Sequence, residues 1–289
     1  MPDPLVEEAP AKVNLTLRVL GRRADGYHDL ESLVTFADFG DRLTLSPGAP
    51  LKLTLGGPRA AQLGGGADNL VFKAVQALNA RAPGLVLGAF HLDKHLPVAA
   101  GIGGGSADAA AALRLLARSN GIAPDDPRLH DAACATGADV PVCLDPRTRL
   151  MRGIGEKLSP ALALPRQHAV LVNPGVALAT RAVFAGWTPG QKPAGLLDVA
   201  SLANLDGERL LRLLAAQSND LEPAAIELAP AIADALTALR ALSGCRFARM
   251  SGSGATCFGI FDAAGAAHNA AAALSGKFPQ WWVRACALG

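Results

Sequence analysis

Aromatic side chains are scarce in this chain: Phe, Trp and Tyr make up 4% of its 289 residues, and tyrosine occurs once, at Tyr27. Charge is scarce too, at 18% of residues, with a formal net charge of +2 and no basic block. A nucleic-acid face, which needs clustered cations and rings to stack on, has no footprint here. The five cysteines (Cys134, Cys143, Cys245, Cys257, Cys286) are odd in number and scattered, with no C-x-x-C pair. That argues against a disulfide framework or a zinc site and for buried thiols. No stretch of about 18 apolar residues runs without a charge or a helix breaker, so no membrane span is expected. The segment Met1–Glu8 is acidic and lacks the apolar run of a secretion signal, which makes a cytoplasmic protein the expectation. With half its residues hydrophobic, the chain is long enough for one large or two modest folded domains. Its expected partner is a small molecule.

What the sequence does have is glycine in one telling place. Gly101-Ile-Gly-Gly-Gly-Ser106 runs without a break into an alanine-rich helical stretch ending near Ser119. Without a Cβ, glycine lets backbone N–H groups turn inward and approach a ligand. The helix that follows adds free N–H donors and the positive end of its dipole. Together these make an anion site of phosphate size. The two commonest templates do not fit. A P-loop needs a lysine after its last glycine, and no lysine lies between Pro97 and Arg114. A Rossmann site wants a sixth-place glycine, where Ser106 stands, and an acidic residue some way downstream that is missing.

Around this loop the pattern reads as α+β. Lys12–Leu20, Arg42–Ser46 and Leu51–Leu55 alternate apolar and polar residues, as half-buried strands do. Asp68–Asn79 has an N-cap candidate and helical spacing, Val86–Leu92 is a predicted strand, and Leu129–Thr136 a short helix that stops at Gly137. Farther on, Ala169–Asn173 is a predicted strand and Glu208–Ala216, Asp220–Leu228 and Ile232–Leu242 are predicted helices. A strand ending at Arg249, a strand over Thr256–Phe261, an alanine-rich helix and a last strand over Trp282–Ala287 complete the chain. A division near residues 150–160 is expected.

Three segments carry chemistry-bearing residues beside the loop. Lys12 and Asn14, two apart, share one face of a strand; alone, such a lysine is usually a solvated edge residue. Gly21–Asp29 is a polar loop holding Tyr27 and His28, and Asp25-Gly26 within it is a hairpin-turn signal. Gly137-Ala-Asp-Val-Pro141 sets Asp139 among small and apolar neighbours, where an isolated aspartate is most often a helix cap or turn residue. Ser251-Gly-Ser-Gly254 is a second glycine–hydroxyl turn able to flank a phosphate tail. A lysine, an aspartate and a phosphate cradle are the minimum set for phosphoryl transfer to an alcohol, which needs positioning, charge neutralisation and a proton acceptor.

Taken together, these segments resemble the three motifs of the GHMP kinases. Ala11-Lys-Val-Asn-Leu-Thr-Leu17 is similar to the first, Pro97–Ala107 to the second and Ser251–Thr256 to the third, in the family's order and spacing. The resemblance implies a two-domain α+β fold. Its first domain, 1–157, would resemble domain 2 of the fifth small-subunit ribosomal protein and bind ATP, and its second, 158–289, would be a ferredoxin-like α+β domain. Arg23–Leu30, Gly137–Val142 and Asn219–Pro223 resemble segments of the branch that phosphorylates a cytidylylated methylerythritol in the non-mevalonate isoprenoid route. Homoserine and mevalonate kinases are expected to lack the Tyr27-His28 loop and the Asn219 segment. Ala107 stands where a second serine is usual, Ile102 where leucine is usual, and Thr256-Cys257 is a local variation; none removes a backbone N–H.

The resemblance also implies roles. Asp139 would accept the proton of the substrate's C2 hydroxyl, with Lys12 stabilising developing negative charge. Pro97, Val98, Ala99, Ala100, Gly101, Ile102, Gly103, Gly104, Gly105, Ser106 and Ala107 would wrap the ATP phosphates, whose charge Mg²⁺ offsets, and Lys94 and Asn69 would touch the nucleotide just outside the loop. Tyr27 and Phe184 would sandwich the cytosine ring, His28 would bond its edge, and Asn14 and Thr180 would line the same pocket. No protein metal centre, nucleic acid or membrane is implied, and the chain would be a monomer or a weak homodimer. A catalytically silent nucleotide-binding regulator on the same fold should have lost the lysine or the aspartate, and both are present.

Overall fold

The computed structural model describes residues 3–63, 68–189 and 195–289. In chain order its elements begin with β1 (Leu5–Asn14), β2 (Arg18–Arg22), β3 (His28–Pro47), β4 (Lys52–Gly56), α1 (Leu70–Arg81), β5 (Gly88–Asp93) and α2 (Gly104–Ser119). There follow α3 (Pro127–Thr136), α4 (Val140–Leu144), β6 (Arg149–Gly153), β7 (Lys157–Leu158), β8 (Gln167–Asn173), α5 (Thr180–Gly186), α6 (Gly207–Ala216) and α7 (Glu222–Leu228). The last are α8 (Ala231–Arg240), β9 (Cys245–Met250), β10 (Cys257–Phe261), α9 (Ala264–Lys277) and β11 (Trp282–Leu288). Among the described residues no helix is long and apolar enough to cross a membrane.

The chain divides into two compact units, and neither is a single stretch. Unit 1 is 1–12, 39–98 and 103–146; unit 2 is 13–38, 99–102 and 147–289. Here β1, β3 and the glycine loop each pass from one unit to the other, which no shift in local composition marks.

In unit 1, β5 lies between β4, to which it runs parallel, and the second half of β3, to which it runs antiparallel. The parallel pair needs a crossover, and α1 supplies it. Asn69 Oδ1 accepts from Val71 N (2.9 Å) at the start of α1, and Val71, Ala74, Val75 and Leu78 form its buried stripe. The α2 helix is buried nearly all round, with Ala107, Ala109–Leu113, Leu115 and Leu116 inaccessible, and packs against α1, α3 and α4. Asp126 caps α3, with Pro127 at its first position.

In unit 2 the strands run β11-β8-β10-β9, all antiparallel. Numbering these four strands in chain order gives 4-1-3-2, with helices in the β8–β9 and β10–β11 connections, the ferredoxin-like arrangement expected from the resemblance. Val170, Val172, Cys257 and Phe261 of the sheet pack with Ile232, Leu236 and Leu239 of α8 and Ala267, Ala270 and Leu274 of α9. The first part of β3 pairs with β2 and β6, and β6 with β7. The α5 helix and the β6–β7 hairpin lie outside the predicted elements, and β3 is a single strand of 20 residues rather than a short alternating one.

Candidate active site

In unit 1 the site is built around the start of α2. Gly103 occupies its N-cap position with φ +63°, and no side chain caps the helix, so the first-turn N–H groups keep their capacity for an anion. A Cβ on Gly103 would lie 3.1 Å from Lys12 Cβ and 3.2 Å from Lys12 Cε. Glycine is thus required twice there, for the left-handed backbone and for contact with the lysine. Lys12 Nζ lies 2.9 Å from Asp139 Oδ1; the lysine side chain is 3% exposed and the aspartate 37%. Asp139 stands at the N-cap position of α4, yet its side chain makes no capping bond. Its carboxylate faces the ammonium instead, which sets aside the bland reading of this residue.

Behind the pair, Arg114 Nη1 donates to the Cys143 carbonyl (2.7 Å) and its Nε pairs with Glu7 (3.0 Å), tying α2, α4 and β1 together. Burial pushes the Cys143 thiol up to about 12, so it stays a neutral packing group.

Lys94 is 1% exposed, with its Nζ 2.5 Å from Asp41 Oδ2 and 2.6 Å from Asp108 Oδ2. Burial alone would lower its pKa, but the carboxylates of Asp108 and Asp41 raise it, so it is a cation held inside the unit. Two buried carboxylates thus occupy the Lys94 ammonium. The side-chain oxygen of Asn69 is occupied by its capping bond.

In unit 2 the second glycine turn meets the middle of the loop. A Cβ on Gly101 (φ +73°) would fall 2.5 Å from Gly254 O and 2.7 Å from Ser251 O. Ser251 Oγ donates to Gly101 O (3.1 Å) and accepts from Asn14 N (3.0 Å), and Thr256 N donates to Ala100 O (3.1 Å). Asn219 Nδ2 donates to Met250 O and Gly252 O, both at 2.8 Å, and Glu222 Oε2 accepts from Met250 N. The Asn219 segment, singled out from sequence without a role, holds this turn in shape.

The remaining candidates also lie in unit 2. Asn14 is 2% exposed; its Nδ2 donates to Ser32 Oγ (2.7 Å), and its buried Oδ1 has no partner. Thr180 Oγ1 lies 3.0 Å from Ser253 Oγ. Phe184 stacks on His28, with ring centroids 4.9 Å apart and planes at 24°, and Trp187 meets the same imidazole edge-on at 5.8 Å. Burial, then the nearby Arg22 charge, lower the His28 pKa and favour the neutral ring. Tyr27 is 58% exposed, so the ring paired with Phe184 is His28 and not Tyr27. Sequence reasoning missed Trp187, although the scarcity of aromatics could have flagged it. It also missed Asp41 and Asp108, the latter a lone charge on the buried face of an alanine helix.

The sequence matches the N-terminal domain of the GHMP kinases over residues 69–145 and their C-terminal domain over 199–280. It is 57% identical to the 4-diphosphocytidyl-2-C-methyl-D-erythritol kinase of Rhodopseudomonas palustris, over 98% of this chain and 97% of that one. The chain belongs to the GHMP kinase family. Within that family it falls with the 4-diphosphocytidyl-2-C-methyl-D-erythritol kinases, since the enzyme of that name from Nitrobacter hamburgensis is 58% identical over 98% of this chain and 95% of its own. A crystal structure of 4-(cytidine 5'-diphospho)-2C-methyl-D-erythritol kinase superposes with a TM-score of 0.76 at 34% identity, covering 99% of both chains. A homoserine kinase from Cytophaga hutchinsonii reaches 0.71 at 21% identity, over 99% of this chain and 95% of its own, and shares the GHMP kinase fold alone.

Proposed function

We propose that this GHMP kinase transfers the γ-phosphoryl group of ATP to the C2 hydroxyl of 4-diphosphocytidyl-2-C-methyl-D-erythritol, giving the 2-phosphate in the non-mevalonate route to isopentenyl diphosphate. The observation that carries this reading is the 2.9 Å Lys12–Asp139 pair at the glycine-bounded start of α2. The uncapped helix start offers N–H donors to the phosphates. Asp139, the more exposed member of the pair, accepts the hydroxyl proton, and Lys12 offsets the negative charge that develops as phosphorus–oxygen bonds form and break.

Among the described residues no three carboxylate, imidazole or thiol groups gather as a metal cage. Mg²⁺ would be held mainly by phosphate oxygens, with Ser106 as a protein oxygen at hand. Bound there, Mg²⁺ would neutralise phosphate charge. For the alcohol, Asn14 Oδ1 is a buried acceptor without a partner, Thr180 offers a hydroxyl, and His28 and Phe184 offer ring faces and an edge to the cytosine. The expected setting is the cytoplasm.

The test is a substrate panel with purified protein, ATP and Mg²⁺, following ADP release and locating the new phosphate by phosphorus NMR. Turnover of the cytidylylated alcohol with phosphate at C2 is expected, and none with homoserine or mevalonate. Faster turnover of either of those would overturn the substrate assignment while leaving the fold intact.

A further inference from the structure

Trp187 has no part in phosphoryl transfer, yet unit 2 sets it against a residue that faces the substrate. Thr180, Phe184 and Trp187 fall at i, i+4 and i+7 along one face of α5, and Trp187 N closes the helix on Phe184 O (3.3 Å). Other positions seat the helix. Val183 is inaccessible to solvent and belongs to the core cluster with Ala224 and Ala225 of α7, and a Cβ on Gly186 would lie 3.4 Å from Ala224 Cβ. So seated, α5 holds two rings against His28, the first residue of β3.

The two rings constrain the imidazole differently. Phe184 lies nearly parallel to it, with planes at 24° and centroids 4.9 Å apart. Such a stack fixes the plane of the imidazole but is blind to a half-turn about its Cβ–Cγ bond. That half-turn puts carbon where nitrogen was along each edge and restores the same stack. Trp187 stands at 82°, with centroids 5.8 Å apart. A perpendicular ring contact is polar, since the face of one ring carries negative charge and the edge of the other positive. It favours one half-turn position and, within it, one placement of the N–H.

The consequence lies in hydrogen bonding. A neutral imidazole offers one N–H donor and one bare nitrogen acceptor. Cytosine presents an amino donor beside a ring acceptor, and uracil a carbonyl acceptor beside a ring N–H. An imidazole held in one position matches one of these bases; one that turns over distinguishes neither. We propose that Trp187 determines specificity for the alcohol substrate, as a positioning residue that holds His28 in the orientation that reads cytosine and rejects uracil. The surroundings favour the neutral ring this needs: burial, then the charge of Arg22, its cross-strand neighbour on β2, lower the His28 pKa.

This inference rests on the cytidylylated alcohol being the substrate. The test is steady-state kinetics of the full chain with that alcohol and its uridylylated counterpart, at saturating ATP and Mg²⁺. The wild type is expected to prefer the cytidylylated alcohol in kcat/KM. Trp187→Ala should raise KM for it about three- to tenfold, the worth of one aromatic contact, with kcat and KM for ATP within about twofold of wild type. The preference for cytosine over uracil should fall by about the same factor and return in Trp187→Phe, which restores a ring. In a His28→Ala background, Trp187→Ala should change the preference no further. An unchanged preference in Trp187→Ala, or an equal loss with and without His28, overturns the proposal, as does a wild type that takes both alcohols equally. Should the alanine variant not fold, Trp187→Leu, which keeps apolar bulk without the ring, decides in the same way. A wild type that turns over neither alcohol rejects the substrate reading itself, whereas turnover with an unchanged preference rejects only the role of Trp187.

Discussion

Lys12 and Asp139 lie 127 positions apart in sequence and 2.9 Å apart in space, the lysine buried and the carboxylate partly open to solvent. An ion pair this unevenly exposed is a poor stabilising device, because the desolvation of the lysine offsets much of the attraction. It is a good way to present a fixed carboxylate. Lys12→Met should therefore lower kcat by about 10²–10³-fold with a much smaller change in nucleotide affinity, as removal of a single charge-stabilising donor does. Steady-state kinetics with nucleotide titration separate the two effects.

The contact between Gly103 and Lys12 gives a sharper steric prediction. An alanine at 103 meets both the left-handed φ of +63° and the lysine side chain at about 3 Å. The backbone term alone costs about 1–2 kcal/mol. Gly103→Ala should weaken ATP binding about tenfold or more, whereas Gly121→Ala, also at positive φ but with open space around it, should affect stability only. Equilibrium binding of a fluorescent nucleotide and denaturant melts check this contrast.

Ser251 is the hydroxyl that joins the Asn14 backbone to Gly101. Its removal leaves a buried N–H without a partner, a loss of about 1–3 kcal/mol. Ser251→Ala is expected to raise KM for both ATP and the alcohol, since it touches one segment of each. A change confined to ATP would show that the bond to Asn14 carries no functional weight.

His28 and Phe184 should act as a unit. Phe184→Ala removes the ring on which the imidazole rests, and a stacked pair is worth about 0.5–1.5 kcal/mol beyond its buried area. KM for the cytidylylated alcohol should rise about tenfold with little change in KM for ATP. Tyr27→Phe, at an exposed ring, should be nearly silent in the same assay.

Asp108 leaves a mark on folding. Its carboxyl is raised from the usual carboxylate range to about 7 in the folded chain, so the folded state binds the extra proton. The stability this contributes is fully present below about pH 4 and is lost as pH rises through about 7. Denaturant melts should show the wild type losing stability relative to Asp108→Asn across that window. A constant difference between the two would contradict the raised carboxyl.

Most of the fold was legible because it is written in local chemistry. Asn69 and Asp126 mark helix starts by capping, and the alternation around Leu43 and Leu92 marks paired strands. The order of strands and helices marked the second half as α+β, while its 4-1-3-2 sheet was expected from the family resemblance alone. Lys12, Asp139 and the glycine loop were legible as types of residue, yet their meeting is a long-range fact. Asp139 in isolation reads as a cap, and only the geometry shows its carboxylate turned to the lysine. For Lys94 the resemblance implied only a place near the nucleotide, and its burial between Asp41 and Asp108 is again a long-range fact that no local pattern marks. The discontinuous units were invisible, since β3 is one unbroken strand with no break in composition where it passes from one to the other.

The central claim is that Asp139 is the proton acceptor and not a part of the nucleotide site. Single-turnover phosphorylation by Asp139→Asn, with the nucleotide Kd measured on the same preparation, tests it most directly. The account predicts a fall of about 10²–10⁴-fold in the rate of the chemical step with the Kd for ATP within a few-fold of wild type. A variant that turns over at the wild-type rate, or one whose whole defect is lost ATP binding, would contradict it.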